Sequence, residues 1–186
     1  INGVGLIKLV GRDSGFIAAY ATAANPVVNF CLIPEDPFTL TGDTGLLTAL
    51  ERRLKLKNHA VVVVAEGAGQ ELIKGEDQSR DLSGNLRKKD IGEFLRQRID
   101  THFRSIGVEV SVKYFDPSYS IRSIPAVGAD AIRCYMLARG AVHAAMAGRT
   151  NCVVGNLHGG NTNTLVPIAL AALERQQVDL HGDLWR

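Results

Sequence analysis

The chain has 186 residues and 20.0 kDa, 46% of them hydrophobic and 22% charged. That is room for one ordinary globular domain, or one and part of another, and too apolar for extensive disorder. Twenty-one Lys and Arg against nineteen Asp and Glu leave a net charge of +2, too little for broad attraction to nucleic acid, so an anion must be caught by a few local cations. No apolar run reaches the ~18 residues of a membrane span. The first residues lack the basic-then-apolar order of a signal peptide.

Val4–Val10 is apolar but for Lys8, and glycines bound it, which predicts a buried parallel strand. Gly11-Arg12-Asp13-Ser14-Gly15 then turns into an alanine-rich helix over Phe16–Ala24, with Asp13 or Ser14 as its N-cap. Asn25-Pro26 stops that helix. Val27–Ile33 reads as the next strand, and Glu35–Asp43 as a turn-rich loop. Thr44–Lys57 reads as an amphipathic helix with its cations late, where the helix dipole favours them. His59–Ala65, with four consecutive valines, is the clearest strand. Gly67–Lys89 is polar and predicts a long functional loop. Asp90–Ser105 reads as a helix and Val108–Phe115 as a fourth strand. Beyond Pro125 come an alanine-rich helix over Ala126–Gly148, a short strand over Cys152–Val154, a polar loop over Asn156–Asn163, and a helix over Leu165–Gln176.

Strand and helix alternate through residue 115. The expected class is therefore α/β, a mostly parallel sheet flanked by helices. Ligands bind such sheets beyond the carboxyl ends of the strands, here Gly11-Arg12, Pro34-Glu35, Glu66-Gly67 and Asp116-Pro117. Gly11 and Gly15 let backbone approach a ligand, a helix N-terminus follows, and Arg12 offers a donor fork suited to phosphate. A tight turn with a solvated Arg12 is the alternative. Glu66 follows buried valines into the crevice, where it accepts from hydroxyls, orients a cation, caps a helix or pairs with Arg12. Tyr119 and Arg122 are three apart, so a helical turn puts phenol and guanidinium on one face. An interdomain contact is the other use for them.

Cys31, Cys134 and Cys152 are far apart and form no CxxC pair, so they read as buried reduced thiols. His143 reads as a packed structural histidine in an alanine-rich helix. His143, His158 and His181 have no metal or triad spacing, and Gly-x-Ser-x-Gly is absent.

Four segments in order, Gly11-Arg12-Asp13-Ser14-Gly15-Phe16-Ile17-Ala18, Ala65-Glu66-Gly67-Ala68-Gly69-Gln70, Lys113 through Ser123 (KYFDPSYSIRS), and Ala141 through Gly148 (AVHAAMAG), resemble phosphofructokinases. The likeness is to the branch with plant and trypanosomatid ATP enzymes and related pyrophosphate enzymes. It implies the Rossmann-like phosphofructokinase fold. Residues 1–122 would form a fructose 6-phosphate-binding domain, incomplete at its N-terminus. Residues 123–186 would be a helical segment returning to the phosphoryl-donor domain.

By the same resemblance, Val10, Gly11 and Arg12 fall on the family's Met-Gly-Arg contact to the sugar phosphate, with Val in place of Met. Glu66 falls on its sugar-binding Glu, and Tyr119 and Arg122 on its phosphate clamp. Lys113 falls where related enzymes reach a basic residue across a subunit interface. The family's Thr-x-Asp-Asn-Asp segment with the catalytic Asp, and its Gly-Gly-Asp loop for the donor and Mg²⁺, do not occur in these residues. Both ends look cut, so the expectation is a C-terminal fragment of a cytoplasmic, homo-oligomeric 6-phosphofructokinase. It would use ATP or pyrophosphate with Mg²⁺ ligands lying elsewhere, and its partners would include neither nucleic acid nor membrane. A non-catalytic phosphosugar-binding module is the alternative.

Overall fold

A computed structural model describes residues 2–73, 88–156, 163–171 and 176–185. They form two compact units, residues 1–122 with 177–186, and residues 123–176. Described residues 177–185 therefore belong to the first unit, whereas the sequence placed them with the segment from 123.

The first unit is built on four parallel strands in the order β2-β3-β1-β4, namely β1 (Asn2–Leu9), β2 (Phe30–Leu32), β3 (His59–Ala65) and β4 (Val110–Phe115). β1 lies inside, pairing Leu9 with Ala65 on β3 and Ile7 with Phe115 on β4. The parallel sheet and flanking helices match the expected class. Alternation along the strands gives each face its own core. On one face Val4, Leu6, Ala60, Val62 and Val64 meet Leu47, Leu50 and Leu54 of α2 (Leu46–Lys57) and Ile91, Leu95, Ile99 and Phe103 of α3 (Ile91–Ser105). On the other, Leu9, Val63 and Ala65 meet Ala18 and Ala19 of α1 (Phe16–Ala23), with Val178 of the tail. Burial of such side chains, about 1.5–3 kcal/mol each, is the main force holding these layers.

The starts of α3 and α1 are held in different ways. Asp90 caps α3, accepting from the Gly92 and Glu93 amides at 3.1 and 3.2 Å. The cap of α1 is Gly15, with no side-chain cap bond, in place of the expected Asp13 or Ser14. Its amide instead donates to Glu35 Oε1 at 2.9 Å, and that oxygen also takes the Val178 amide at 2.9 Å. The negative group at this helix start is the protein's own carboxylate.

The strand expected over Val27–Ile33 is only Phe30–Leu32. Asn29 still pairs beside it, donating its amide to Val61 O at 2.9 Å and accepting the Val61 amide on Oδ1 at 3.0 Å. A side chain thus replaces one backbone partner.

In the second unit, α5 (Gly128–Met146) lies against a hairpin of β5 (Cys152–Asn156) and β6 (Asn163–Pro167). A Cβ on Gly140 would lie 3.0 Å from Val154, so helix and hairpin approach closely there. Leu165–Pro167, expected as helix, is strand: Leu165 pairs with Val154 and Val166 with Val153. Asn163 Nδ2 also donates to Met136 O at 3.0 Å. Helix begins only after Pro167, as α6 (Ile168–Ala171); the rest of that expected helix, 172–175, lies outside the described residues.

His143 is exposed, not packed, and Cys134 is exposed while Cys31 and Cys152 are half-buried free thiols. Burial holds the Cys31 thiol above its usual pKa. No helix among the described residues is long and apolar enough to cross a membrane.

Candidate functional site

The connections fix where a crevice opens. The chain leaves β1 for α1 on one face of the sheet, and leaves β3 toward α3 on the opposite face. Adjacent strands whose exits diverge leave a cleft beyond their carboxyl ends. Gly11-Arg12 from β1 and Glu66-Gly67 from β3 are the residues at that position.

Backbone bonds hold the two exits together. The Glu66 amide donates to Leu9 O and the Gly67 amide to Gly11 O, each at 2.9 Å. Gly67 is required there by contact alone, since a Cβ on it would lie 1.9 Å from Arg12 O. Gln70 clips the same corner to the start of α3. Its Nε2 donates to Glu66 O at 2.7 Å and Lys89 O at 3.0 Å, and its Oε1 accepts the Lys89 amide at 3.1 Å. The expected loop Gly67–Lys89 is thus fastened at both described ends and carries a short 3-10 turn at Gln70–Leu72; residues 74–87 lie outside the described residues.

Val10, Arg12 and Glu66 are half-buried at this edge. Among the described residues the Glu66 carboxylate makes no hydrogen bond or ion pair, which leaves it able to accept from a bound hydroxyl. Lys88 reaches Asp13 Oδ1 at 3.9 Å, adding a second cation beside the Arg12 turn. The Gly15 amide, part of the helix start expected to attract an anion, is already taken by Glu35. Anion affinity here therefore falls to the side-chain cations.

The edge also includes β4. Asp116 follows it, and the helical turn α4 (Ser118–Ser123) carries Tyr119 and Arg122. Tyr119 is 85% exposed and Arg122 is exposed as well. Asp116 starts the turn, accepting the Ser118 amide at 3.2 Å and the Ser118 hydroxyl on the same oxygen. Lys113 lies elsewhere. It pairs with Gly5 in mid-strand, exposed on the face that carries Gly3, Gly5 and Val61. The structure does not gather it with the other candidates.

A polar cluster that sequence reasoning passed over joins β1, β4 and α3. Lys8 Nζ lies 2.9 Å from Asp116 Oδ2 and 3.3 Å from Asp90 Oδ1, and the Tyr114 hydroxyl donates to Asp90 Oδ1 at 2.8 Å. Burial opposes the Lys8 ammonium, yet hydrogen bonds to Asp116 and Tyr114 and the charge of Asp90 outweigh it and hold its pKa above the usual lysine value. Burial, then the bond to Asp90, pushes the Tyr114 phenol up to about 12. Burial works to raise the Asp116 pKa, but the Ser118 and Lys8 bonds prevail and lower it. The signal was available: Lys8 is the single charge in the run Val4–Val10, and a charge kept in a buried strand needs a partner.

Among the described residues no three or more His, Cys, Asp or Glu converge as a metal site. The arrangement can bind an anion and hydroxyl groups at one edge of a parallel sheet.

The phosphofructokinase family model matches residues 1–145. The chain is 49% identical, over 99% of its length, to an ATP-dependent 6-phosphofructokinase of Amycolatopsis methanolica. It is 48% identical over 99% of its length to ATP-dependent 6-phosphofructokinase 7 of Arabidopsis thaliana. It covers 41% and 38% of those relatives, so it spans about two fifths of their length. Among solved structures, the pyrophosphate-dependent phosphofructokinase of Marinobacter aquaeolei aligns with a TM-score of 0.67 at 19% identity, covering 98% of this chain and 44% of that one. At that identity the likeness speaks for the fold.

Proposed function

The chain belongs to the phosphofructokinase family, and from that premise we propose that it carries the sugar-phosphate site of a 6-phosphofructokinase. The enzyme transfers a phosphoryl group to the 1-hydroxyl of fructose 6-phosphate. The observation that carries this reading is the convergence of Gly11-Arg12 and Glu66-Gly67 at one crevice, tied by the amide bonds between them.

In this reading Arg12 and Arg122 neutralise the 6-phosphate and the Tyr119 hydroxyl donates to one of its oxygens. The Val10-Gly11 backbone lies alongside, and Glu66 accepts from a sugar hydroxyl. Phosphoryl transfer depends on placing the attacking oxygen in line and offsetting charge, so a fixed sugar phosphate supplies much of the catalysis. The relatives at 48–49% identity are named ATP-dependent, which favours ATP over pyrophosphate as donor. The base that takes the hydroxyl proton, and the donor loop, belong to motifs that these 186 residues do not contain. In this reading the Mg²⁺ that accompanies the donor takes its ligands from outside these residues as well. Lys113, exposed in mid-strand, suits a contact to a second subunit of a cytoplasmic homo-oligomer.

The test is Arg122→Ala in the full-length enzyme. The KM for fructose 6-phosphate should rise about ten- to hundredfold, the loss of a charge-assisted hydrogen bond worth about 1.5–3 kcal/mol. An unchanged KM would refute the clamp.

A further inference from the structure

We propose that Lys8 is a positioning residue for the sugar-phosphate site: through Asp116 it fixes the turn bearing Tyr119 and Arg122 against the strand end bearing Gly11 and Arg12. The inference rests on the substrate reading above and adds to it a residue that touches no ligand.

Lys8 is the next-to-last residue of β1, paired laterally with Val64, so its backbone is fixed by the centre of the sheet. Its side chain is only 14% exposed and lies on the α2/α3 face with Val4 and Leu6. From there the ammonium reaches two carboxylates, each of which starts an element. Asp90 Oδ1 caps α3 through the Gly92 and Glu93 amides. Asp116 uses Oδ2 for Lys8 and Oδ1 for Ser118, the first residue of α4. Asp116 is therefore held from both sides, with one oxygen on β1 and the other on the turn.

The consequence is geometric. Val10 stands two residues beyond Lys8, and Tyr119 three residues beyond Asp116. The two groups of substrate-binding residues come from different strands, and this ion pair is a short bridge between them. A 2.9 Å charge-assisted bond has little slack. Without it, Asp116 keeps its hold on Ser118 and its neighbour Phe115 stays paired with Ile7, but the turn loses the side-chain tie that sets its position against β1. Small displacements of groups that fix a substrate cost far more in binding than in fold stability.

The experiment uses the full-length enzyme with Lys8→Met, Lys8→Arg, Asp116→Asn, the Lys8→Met/Asp116→Asn pair, and Arg122→Ala as the reference. Lys8→Met should raise the KM for fructose 6-phosphate about tenfold and move the KM for ATP or pyrophosphate less than about twofold. Lys8→Arg should recover most of the loss. The double variant should be no worse than the worse single one, because both remove the same bond. Asp116→Asn keeps an acceptor for Ser118 and carries the test where Lys8→Met does not fold. A raised KM in Arg122→Ala beside an unchanged one in Lys8→Met and Asp116→Asn overturns this inference alone. Additive losses in the double variant, or equal rises in both substrates' KM, overturn it as well. An unchanged KM in Arg122→Ala and Lys8→Met alike removes the substrate reading and this inference together.

Discussion

At the scale of single residues the site depends on a contact that admits no side chain. Gly67 lies against the Arg12 carbonyl so closely that an added Cβ would sit 1.9 Å from its oxygen. The obstacle is backbone on both sides and cannot swing away. Gly67→Ala should destabilise the protein by about 3 kcal/mol, the upper part of the range for forced overpacking. It should also raise the KM for fructose 6-phosphate, because relief of the clash separates the Arg12 and Glu66 corners. Urea unfolding measures the first effect and steady-state kinetics the second. A midpoint equal to that of the parent would mean that the two loops do not approach as described.

At the scale of elements, α3 is held by its packed face and by its cap. Ile91, Leu95, Ile99 and Phe103 are buried against the sheet, and Ile99→Ala should cost about 2–5 kcal/mol. Asp90 contributes differently. It satisfies the Gly92 and Glu93 amides and also receives Lys8 and Tyr114. Asp90→Ala should therefore cost about 2 kcal/mol, the top of the range for losing a cap, because two further donors lose their acceptor. The Arg96–Glu93 pair on the same helix is short at 2.6 Å but lies in solvent. Exposed pairs of this kind are screened, and Glu93→Gln should leave the urea midpoint where it was. Chemical denaturation of the three variants side by side gives the ranking.

At the scale of the whole molecule the polar cluster sets an alkaline limit. Tyr114 has an ordinary pKa of 10.0 and is pushed up to about 12 in the folded chain. The folded state thus holds a proton that the unfolded chain has released. Stability from this group is complete below pH 10.0 and is lost as pH rises toward about 12. Lys8, also raised above its usual value, acts in the same direction. Asp116, lowered, acts on the acid side, with its contribution present above 3.8 and lost as pH falls below it. A thermal-melting series across the alkaline range should fall, and Tyr114→Phe should flatten part of that fall. An identical slope in the variant would exclude Tyr114. The 186-residue chain taken alone should phosphorylate no fructose 6-phosphate, since neither base nor donor motif is among its residues; turnover by it would defeat that assignment.

Sequence by itself determined the alternation of elements, the parallel class and which residues stand at the strand ends. Each of these is written in local periodicity. Four valines in a row and a charge-tipped amphipathic helix need no distant partner to be read. Arg12 and Glu66 were legible because they follow buried strands directly. Tertiary structure alone decided which ends are neighbours. β1 lies between β3 and β4, and that order brings Gly11 against Gly67 and Lys8 against Asp116. It also decided where local pattern yields to pairing. Leu165 and Val166 have a helical neighbourhood but are strand because Val154 and Val153 lie opposite. Asn29 closes a ladder with its side chain where the expected strand stops short. Glu35 fills the helix start that sequence left open for a ligand. The physical reason is the same in each case. A hydrogen bond between groups distant in sequence is decided by chain topology, and periodicity along a short window carries no information about it.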